Sequence, residues 1–240
     1  MSSDEQLSLF QSLGAAASPP AETKPEPEIN PAASFDRIPT SAAIPIPAGT
    51  YQDLAQLATH CANCHRCGLG ATRLNAVVGR GATPAPIMIV GEGPGQNEDE
   101  QGLPFVGRSG QLLERILAAV DFSVDREVYI CNVVRCRPPE NRVPTPEEIA
   151  ACKPYLLEQI RLVDPQVILL TGATALKAVT GTKAAITKVR GEWIEWEGRL
   201  CMPIFHPAYL LRNSSKEEGA PKWLTWQDMK KVRAKIQEFS

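Results

Sequence analysis

The residues best suited to chemistry crowd into one run, Gly91-Glu92-Gly93-Pro94-Gly95-Gln96-Asn97-Glu98-Asp99, continued by Gly102-Leu103-Pro104-Phe105-Val106-Gly107. Three glycines in five positions let backbone approach a ligand and offer amide N–H groups, while Glu92, Glu98 and Asp99 set carboxylates beside them. The run lacks the lysine of a phosphate loop and the spacing of a dinucleotide fingerprint, and so much acid repels phosphate. Sulfur is a second reserve, with cysteines at 61, 64, 67, 131, 136, 152 and 201. An odd count without a secretory signal argues against a disulfide framework and for metal ligation or buried thiols. His206, one of three histidines, follows an apolar stretch and precedes Pro207.

Strands and helices must hold these groups in place. Ile87-Met88-Ile89-Val90 precedes the Gly-rich run and Ser109-Gly110-Gln111-Leu112-Leu113 follows it, so the run reads as a loop at the carboxyl end of a buried strand. Open α/β sheets keep their sites there. The alternation continues: strand 86–91, helix 109–121, strand 127–134, helix 145–163, strand 166–171, helix 173–180. Thr145, Pro146 and Glu148 give the helix at 145 a capping box with proline in its first turn. Residues 51–60 have helical apolar spacing. Trp193 to Cys201 reads as a hairpin, followed by a strand at 202–205 and a last amphipathic helix over about 225–238. Alternating βα units of this length predict a parallel sheet covered by helices on both faces.

The chain has 240 residues, 43% of them hydrophobic, enough for one core of ordinary domain size. No apolar run approaches the roughly 20 residues of a membrane span, and the reading is of a soluble cytoplasmic protein. Residues 1–50 contain eight prolines, nine alanines and little aromatic content, too little to offset the entropy of ordering, and are read as a disordered tail. That tail carries two basic and six acidic groups. The remaining 190 residues hold 23 basic against 21 acidic groups, so a net charge of −2 for the whole chain does not exclude DNA as a partner.

Within the tail, Gln6-Leu7-Ser8-Leu9-Phe10 resembles the short peptide by which bacterial replication and repair proteins dock in the hydrophobic pocket of the sliding clamp. A flexible tail suits such a tether. Three segments of the body agree on a larger resemblance: the loop at 91–107, Asn132-Val133-Val134-Arg135-Cys136-Arg137-Pro138-Pro139-Glu140-Asn141-Arg142, and His206-Pro207-Ala208-Tyr209-Leu210-Leu211-Arg212. In order and spacing they resemble the family 4 uracil-DNA glycosylases, thermostable-type enzymes that carry an iron–sulfur cluster. The resemblance covers about residues 55–238.

The resemblance implies a three-layer α/β/α fold around a four-stranded parallel sheet, and a monofunctional enzyme that removes uracil from DNA and leaves an abasic site. It implies a [4Fe-4S] cluster held by a C-x-x-C pair and a second pair about sixteen residues apart. Cys136 and Cys152 supply the second pair. Cys61, Cys64 and Cys67 form two overlapping C-x-x-C motifs, and Cys64 with Cys67 better matches the family's distance to the Gly91 loop, leaving Cys61 as an extra thiol. Four thiolates without an open position suit a structural site, and zinc would accept the same ligands. Cys131 and Cys201, in apolar strands, read as buried thiols.

Position by position, the resemblance implies that Phe105 stacks on a flipped uracil, that Asn132 bonds its O4 and N3–H, that Gly93 lines the pocket and that Glu98 and Asn141 support it. His206 is implied as the donor to O2, where charge gathers as the base departs, and Glu92 as the group that orients water or faces the cationic sugar. Leu210 and Leu211 are apolar residues placed to fill the gap left by the base. Arg212, with Arg135, Arg137, Arg142, Lys183, Lys188 and Arg190, is positioned to meet phosphate. No well-placed lysine suggests a lyase. A non-catalytic nucleic-acid-binding module and a covalent uracil cross-linking relative are the competing readings; Gly93 follows the hydrolytic pattern. Nothing in the sequence demands more than a monomer, expected to be nucleoid-associated.

Overall fold

A computed structural model of the chain describes residues 41–239. In chain order its elements are α1 (Leu54–Ala62), β1 (Arg80–Gly81), β2 (Ile87–Gly91), α2 (Gln96–Gln101), α3 (Arg108–Ala119), β3 (Val128–Asn132), α4 (Pro146–Val163), β4 (Val167–Thr171), α5 (Ala173–Thr180), α6 (Ile186–Val189), β5 (Ile194–Trp196), β6 (Arg199–Ile204), α7 (Pro207–Arg212) and α8 (Pro221–Glu238).

The strands β2, β3 and β4 are buried at every position, as strands covered on both faces must be. Their side chains alternate between two cores. Ile87 and Ile89 join Val128, Ile130, Val167, Leu169 and the apolar sides of α3 and α8. Met88 and Val90 join Cys131, Ile168, Leu170 and side chains from α4 and α5. Each such buried aliphatic side chain stabilises the fold by about 1.5–3 kcal/mol. The three-layer α/β/α class expected from the alternation is the one observed.

The sheet has six strands in the order β1-β3-β2-β4-β6-β5. The inner four, β3-β2-β4-β6, are parallel, and the short outer strands β1 and β5 pair antiparallel to them. The expected four-stranded sheet is therefore the centre of a larger mixed one. Trp193–Cys201 and 202–205 are not a hairpin followed by a separate strand: β6 runs unbroken from Arg199 and is both the second arm of the hairpin and the fourth parallel strand. The acidic half of the Gly-rich run also winds into α2, starting at Gly95.

This order puts the first parallel strand, β2, between its successors, so the connections leaving β2 and β4 diverge at the carboxyl ends of the sheet, where open α/β sheets keep their sites. Residues 41–50, assigned to the tail on composition, are held on the body. The Arg66 guanidinium donates to the carbonyls of Ser41, Ala42 and Ile44, and Glu158 accepts from the amides of Gly49 and Tyr51. The rest of the tail, with Gln6, Leu7, Leu9 and Phe10, lies outside the described residues. Among the described residues no helix is long and apolar enough to cross a membrane.

Candidate active site

Register brings the first two site residues together. Gly91 pairs with Asn132 at the carboxyl ends of β2 and β3. A Cβ on Gly91 would lie 2.7 Å from the Phe105 ring and closer still to Asn132 Oδ1, so only glycine lets the two side chains flank the strand end. Asn132 is 2% exposed, and its Oδ1 has no hydrogen-bond partner. A buried polar atom left unpaired costs about 1–3 kcal/mol, a penalty expected where a ligand completes the bond. Alanine at position 91 is expected to lower single-turnover base release by about 100-fold, since misplacing a reacting group by an ångström has that effect. A rate within a factor of about two of the parent would show that Asn132 and Phe105 do not act from these positions.

Phe105 has a φ of +55°, unfavourable for a residue with a Cβ, and its surroundings impose that shape. Glu98 accepts from the amides of Val106 at 2.9 Å and Gly107 at 2.8 Å, and reaches back to accept from the Gly95 amide at 3.1 Å at the start of α2. Arg80 donates to the carbonyls of Pro104 and Phe105 and pairs with Glu114. Gly110 leaves room for the Phe105 carbonyl. Glu98 thus spends both carboxylate oxygens on main-chain amides and acts by holding the turn, not by touching a base. Replacing it with alanine is expected to cost about 1–1.5 kcal/mol in chemical denaturation, because three partly buried amides lose their acceptor. A loss below about 0.5 kcal/mol, the scale of an ordinary surface change, would show that the turn holds its shape without Glu98.

His206 follows β6 and caps α7. Its Nδ1 accepts from the Ala208 amide at 3.1 Å, which places the proton of the neutral ring on Nε2. Burial, reinforced by the nearby Arg212 cation and opposed by Glu98, pushes its pKa down to about 4. The unfolded chain binds this proton near pH 6.5, so the contribution of neutral His206 to stability is present above 6.5 and is lost as pH falls through about 4. The ring stacks on Phe105 with centroids 5.8 Å apart and 30° between planes. Gly172 backs it: with φ at +92°, it would place a Cβ 3.3 Å from that of His206.

Glu92, partly buried after β2, accepts from the Thr174 hydroxyl at the start of α5. Sequence reading missed Gly172, Thr174 and Arg80. A strand-glycine-helix junction was a usable signal for the first; Thr174 and Arg80 carried none. Asp99 is buried and ties α2 to the amides of Leu74 and Asn75.

Other assignments change with burial. A Cβ on Gly93 would meet Val134, Pro138 and Pro144, so this residue faces the segment after β3 and is not brought against Phe105 or His206 by any close contact of its own. Asn141 is exposed and uses its Oδ1 within its own turn, accepting from Arg137 at 2.8 Å. Leu210 is completely buried in the core and cannot fill a gap in DNA, whereas Leu211 is only partly buried and Arg212 is exposed. Arg135 is 1% exposed and cannot reach phosphate. Arg190 is paired with the fully buried Asp228, and Arg142 is held by both oxygens of Glu148. Lys183 and Lys188 are exposed, as their proposed role requires.

Five cysteines, Cys61, Cys64, Cys67, Cys136 and Cys152, line one small cavity with Arg66, Arg73 and Arg135. Cys61 therefore reaches the same space as the four residues selected from spacing. Arg73 binds the two sides together, donating to the carbonyls of Cys64 and Ala62 and to Cys136 Sγ at 3.4 Å. Burial pushes the Cys136 thiol up to about 12 and raises those of Cys67 and Cys152 as well. Among the described residues no three His, Cys, Asp or Glu side chains gather about a single-ion position. Cys131 and Cys201 are buried in β3 and β6, as expected of apolar thiols.

Residues 78–230 match the family model described as the uracil DNA glycosylase superfamily. The chain is 50% identical over 178 residues to a type-4 uracil-DNA glycosylase of Thermotoga maritima, covering 73% of this chain and 90% of that protein. It is 39% identical over 179 residues to a type-4 uracil-DNA glycosylase of Sulfurisphaera tokodaii, covering 71% and 79%. A third type-4 uracil-DNA glycosylase, from Pyrobaculum aerophilum, is 44% identical over 172 residues, covering 67% and 85%.

Proposed function

Because this chain belongs to the uracil DNA glycosylase superfamily, we infer that the site at the carboxyl ends of its sheet extrudes uracil from DNA and hydrolyses the N-glycosidic bond. The products are free uracil and an abasic site, the first step of base excision repair. The observation that carries this reading is the orphaned Asn132 Oδ1, buried beside Gly91 at the end of β3, with the stacked pair Phe105 and His206 alongside.

A base inside a duplex hides its glycosidic bond, so the nucleotide must leave the stack. Phe105, only 6% exposed without a base bound, is assigned the flat face on which the everted ring comes to rest. The Asn132 amide supplies an acceptor for uracil N3–H and a donor for O4, a pattern that cytosine reverses. As the bond breaks, negative charge gathers on the base and positive charge on the sugar. The Nε2–H of neutral His206 donates to O2 throughout and needs no proton transfer, and amides of the Gly91–Gly95 loop add to it. Glu92, oriented by Thr174, directs water or faces the sugar cation. Leu211 fills the space left behind, and Arg212, Lys183 and Lys188 meet phosphates. Gly93 and Asn141 shape the loop that covers the base.

The gathering of these cysteines around one cavity supports a thiolate-held group, and the [4Fe-4S] cluster would be held by Cys64, Cys67, Cys136 and Cys152. When bound, the cluster supplies a cross-link between the loop after α1, the end of β3 and α4. Gln6, Leu7, Leu9 and Phe10 are proposed to dock on the bacterial sliding clamp. Deleting residues 1–12 is expected to abolish clamp binding and leave activity on short oligonucleotides intact; clamp binding that survives the deletion would place the docking peptide elsewhere.

The activity is tested by incubating the protein with labelled single- and double-stranded uracil-containing oligonucleotides and cleaving abasic sites with alkali. Breaks at uracil and none at cytosine are expected. Binding without breaks would leave a nucleic-acid-binding module, and adducts that survive denaturing gels would indicate a cross-linking enzyme.

A further inference from the structure

Arg135 stands three residues beyond Asn132 and next to Cys136, with 1% of its surface exposed. Its Nη1 donates to the carbonyls of Asn132 at 2.7 Å and Val133 at 2.9 Å, and its Nη2 donates to Gln159 Oε1. Gln159 is itself fully buried and is fixed by donating to the Val78 carbonyl and the Tyr129 hydroxyl. The guanidinium is thus anchored on one side to the strand end that carries Asn132.

On its other side it lines the cysteine cavity, and there its Nε is buried without a hydrogen-bond partner. No ion pair joins it to a carboxylate among the described residues. A buried cation without a counter-charge carries a heavy desolvation penalty. Among the described residues, the groups near it able to become anionic in numbers are the cavity's thiols. Four thiolates around an iron–sulfur cluster leave the assembly net negative, which is the counter-charge the guanidinium lacks.

We infer that Arg135 is a positioning residue with two tasks: it is the buried counterion of the thiolate-held cluster, and it is the brace through which the occupied cavity fixes the main chain that aims Asn132. The inference rests on the iron–sulfur reading above. It ties a group that does no chemistry on uracil to the accuracy with which uracil is chosen. A metal's surrounding hydrogen-bond partners commonly affect its retention by about 10–100-fold.

The test uses the full chain purified without oxygen as parent, Arg135→Gln and Arg135→Lys. Iron and sulfide are first measured in the parent; a parent without them overturns the iron–sulfur reading, and this inference with it. With a loaded parent, Arg135→Gln is expected to bleach in air about 10–100-fold faster. Its cluster potential should move to more negative values, and its preference for uracil over cytosine should fall. Arg135→Lys keeps the charge and loses the fork, so it should recover cluster lifetime and potential while base preference stays low. That split would not arise from general loosening of the fold. A loaded parent whose Arg135→Gln variant keeps the same bleaching rate, potential and base preference overturns the inference. If Arg135→Gln does not fold, Arg135→Lys decides: parental base preference overturns the brace, and parental cluster lifetime with reduced base preference supports both tasks.

Discussion

Replacing His206 with alanine is expected to lower the single-turnover rate of uracil release by about 10²–10³-fold while leaving DNA affinity nearly unchanged. The asymmetry follows from where the bond forms. The O2 oxygen of uracil is a weak acceptor in DNA and a strong one as the base departs with the bonding electrons, so a donor aimed at it stabilises the transition state more than the bound substrate. Equal losses in rate and affinity would make His206 a binding residue. The pH profile is an independent check. With Nδ1 accepting from Ala208 and the ring held neutral down to about 4, the step should show no change through pH 6.5 attributable to this residue. A rate that rises as pH falls through 6.5 would mean that a charged imidazole is the donor.

The second large effect is on selection. Asn132→Asp is expected to reduce the ratio of uracil to cytosine release by about 10²-fold or more, most of it through loss on uracil. Sites built to pair a particular polar pattern reject mismatched ones by up to about 10⁴–10⁵. An ionised aspartate keeps an acceptor for N3–H and loses the donor for O4, facing that oxygen with negative charge. It can accept from the exocyclic amine of cytosine, so the change moves both substrates in the direction that erodes discrimination. The measurement is matched uracil and cytosine oligonucleotides under single-turnover conditions. Unchanged rejection of cytosine with a normal uracil rate would remove Asn132 as the reader.

Local chemistry and periodicity made much of this protein legible without coordinates. The apolar runs at Ile87, Val128 and Val167 could only be buried parallel strands, and the capping box at Thr145 fixed the start of α4. The Gly-rich run and His206 declared themselves because glycine clusters and an isolated histidine before proline have few structural uses. Edge strand β1 escaped because two residues carry no period, whereas β5 was legible as the first arm of the hairpin at Trp193. Burial escaped more often. Leu210 and Leu211 look alike in sequence, yet one side of α7 faces the core and the other does not. Arg135 looked like any surface cation.

The sequence alone therefore determined the layered fold, the loop that bears the chemistry and the cysteines available for a cluster, since each follows from residue type and near-neighbour spacing. Tertiary structure decided which groups share a space: Gly91 beside Asn132 by strand register, Gly172 behind His206 by the adjacency of β4 and β6, and Arg135 between the cysteine cavity and Asn132. Gly91 and Asn132 are 41 positions apart, Gly172 and His206 are 34, and Arg135 lies 74 positions from Cys61 across the cavity. Closing such distances depends on how whole helices and strands pack, and a short run of residues carries no record of its distant partner.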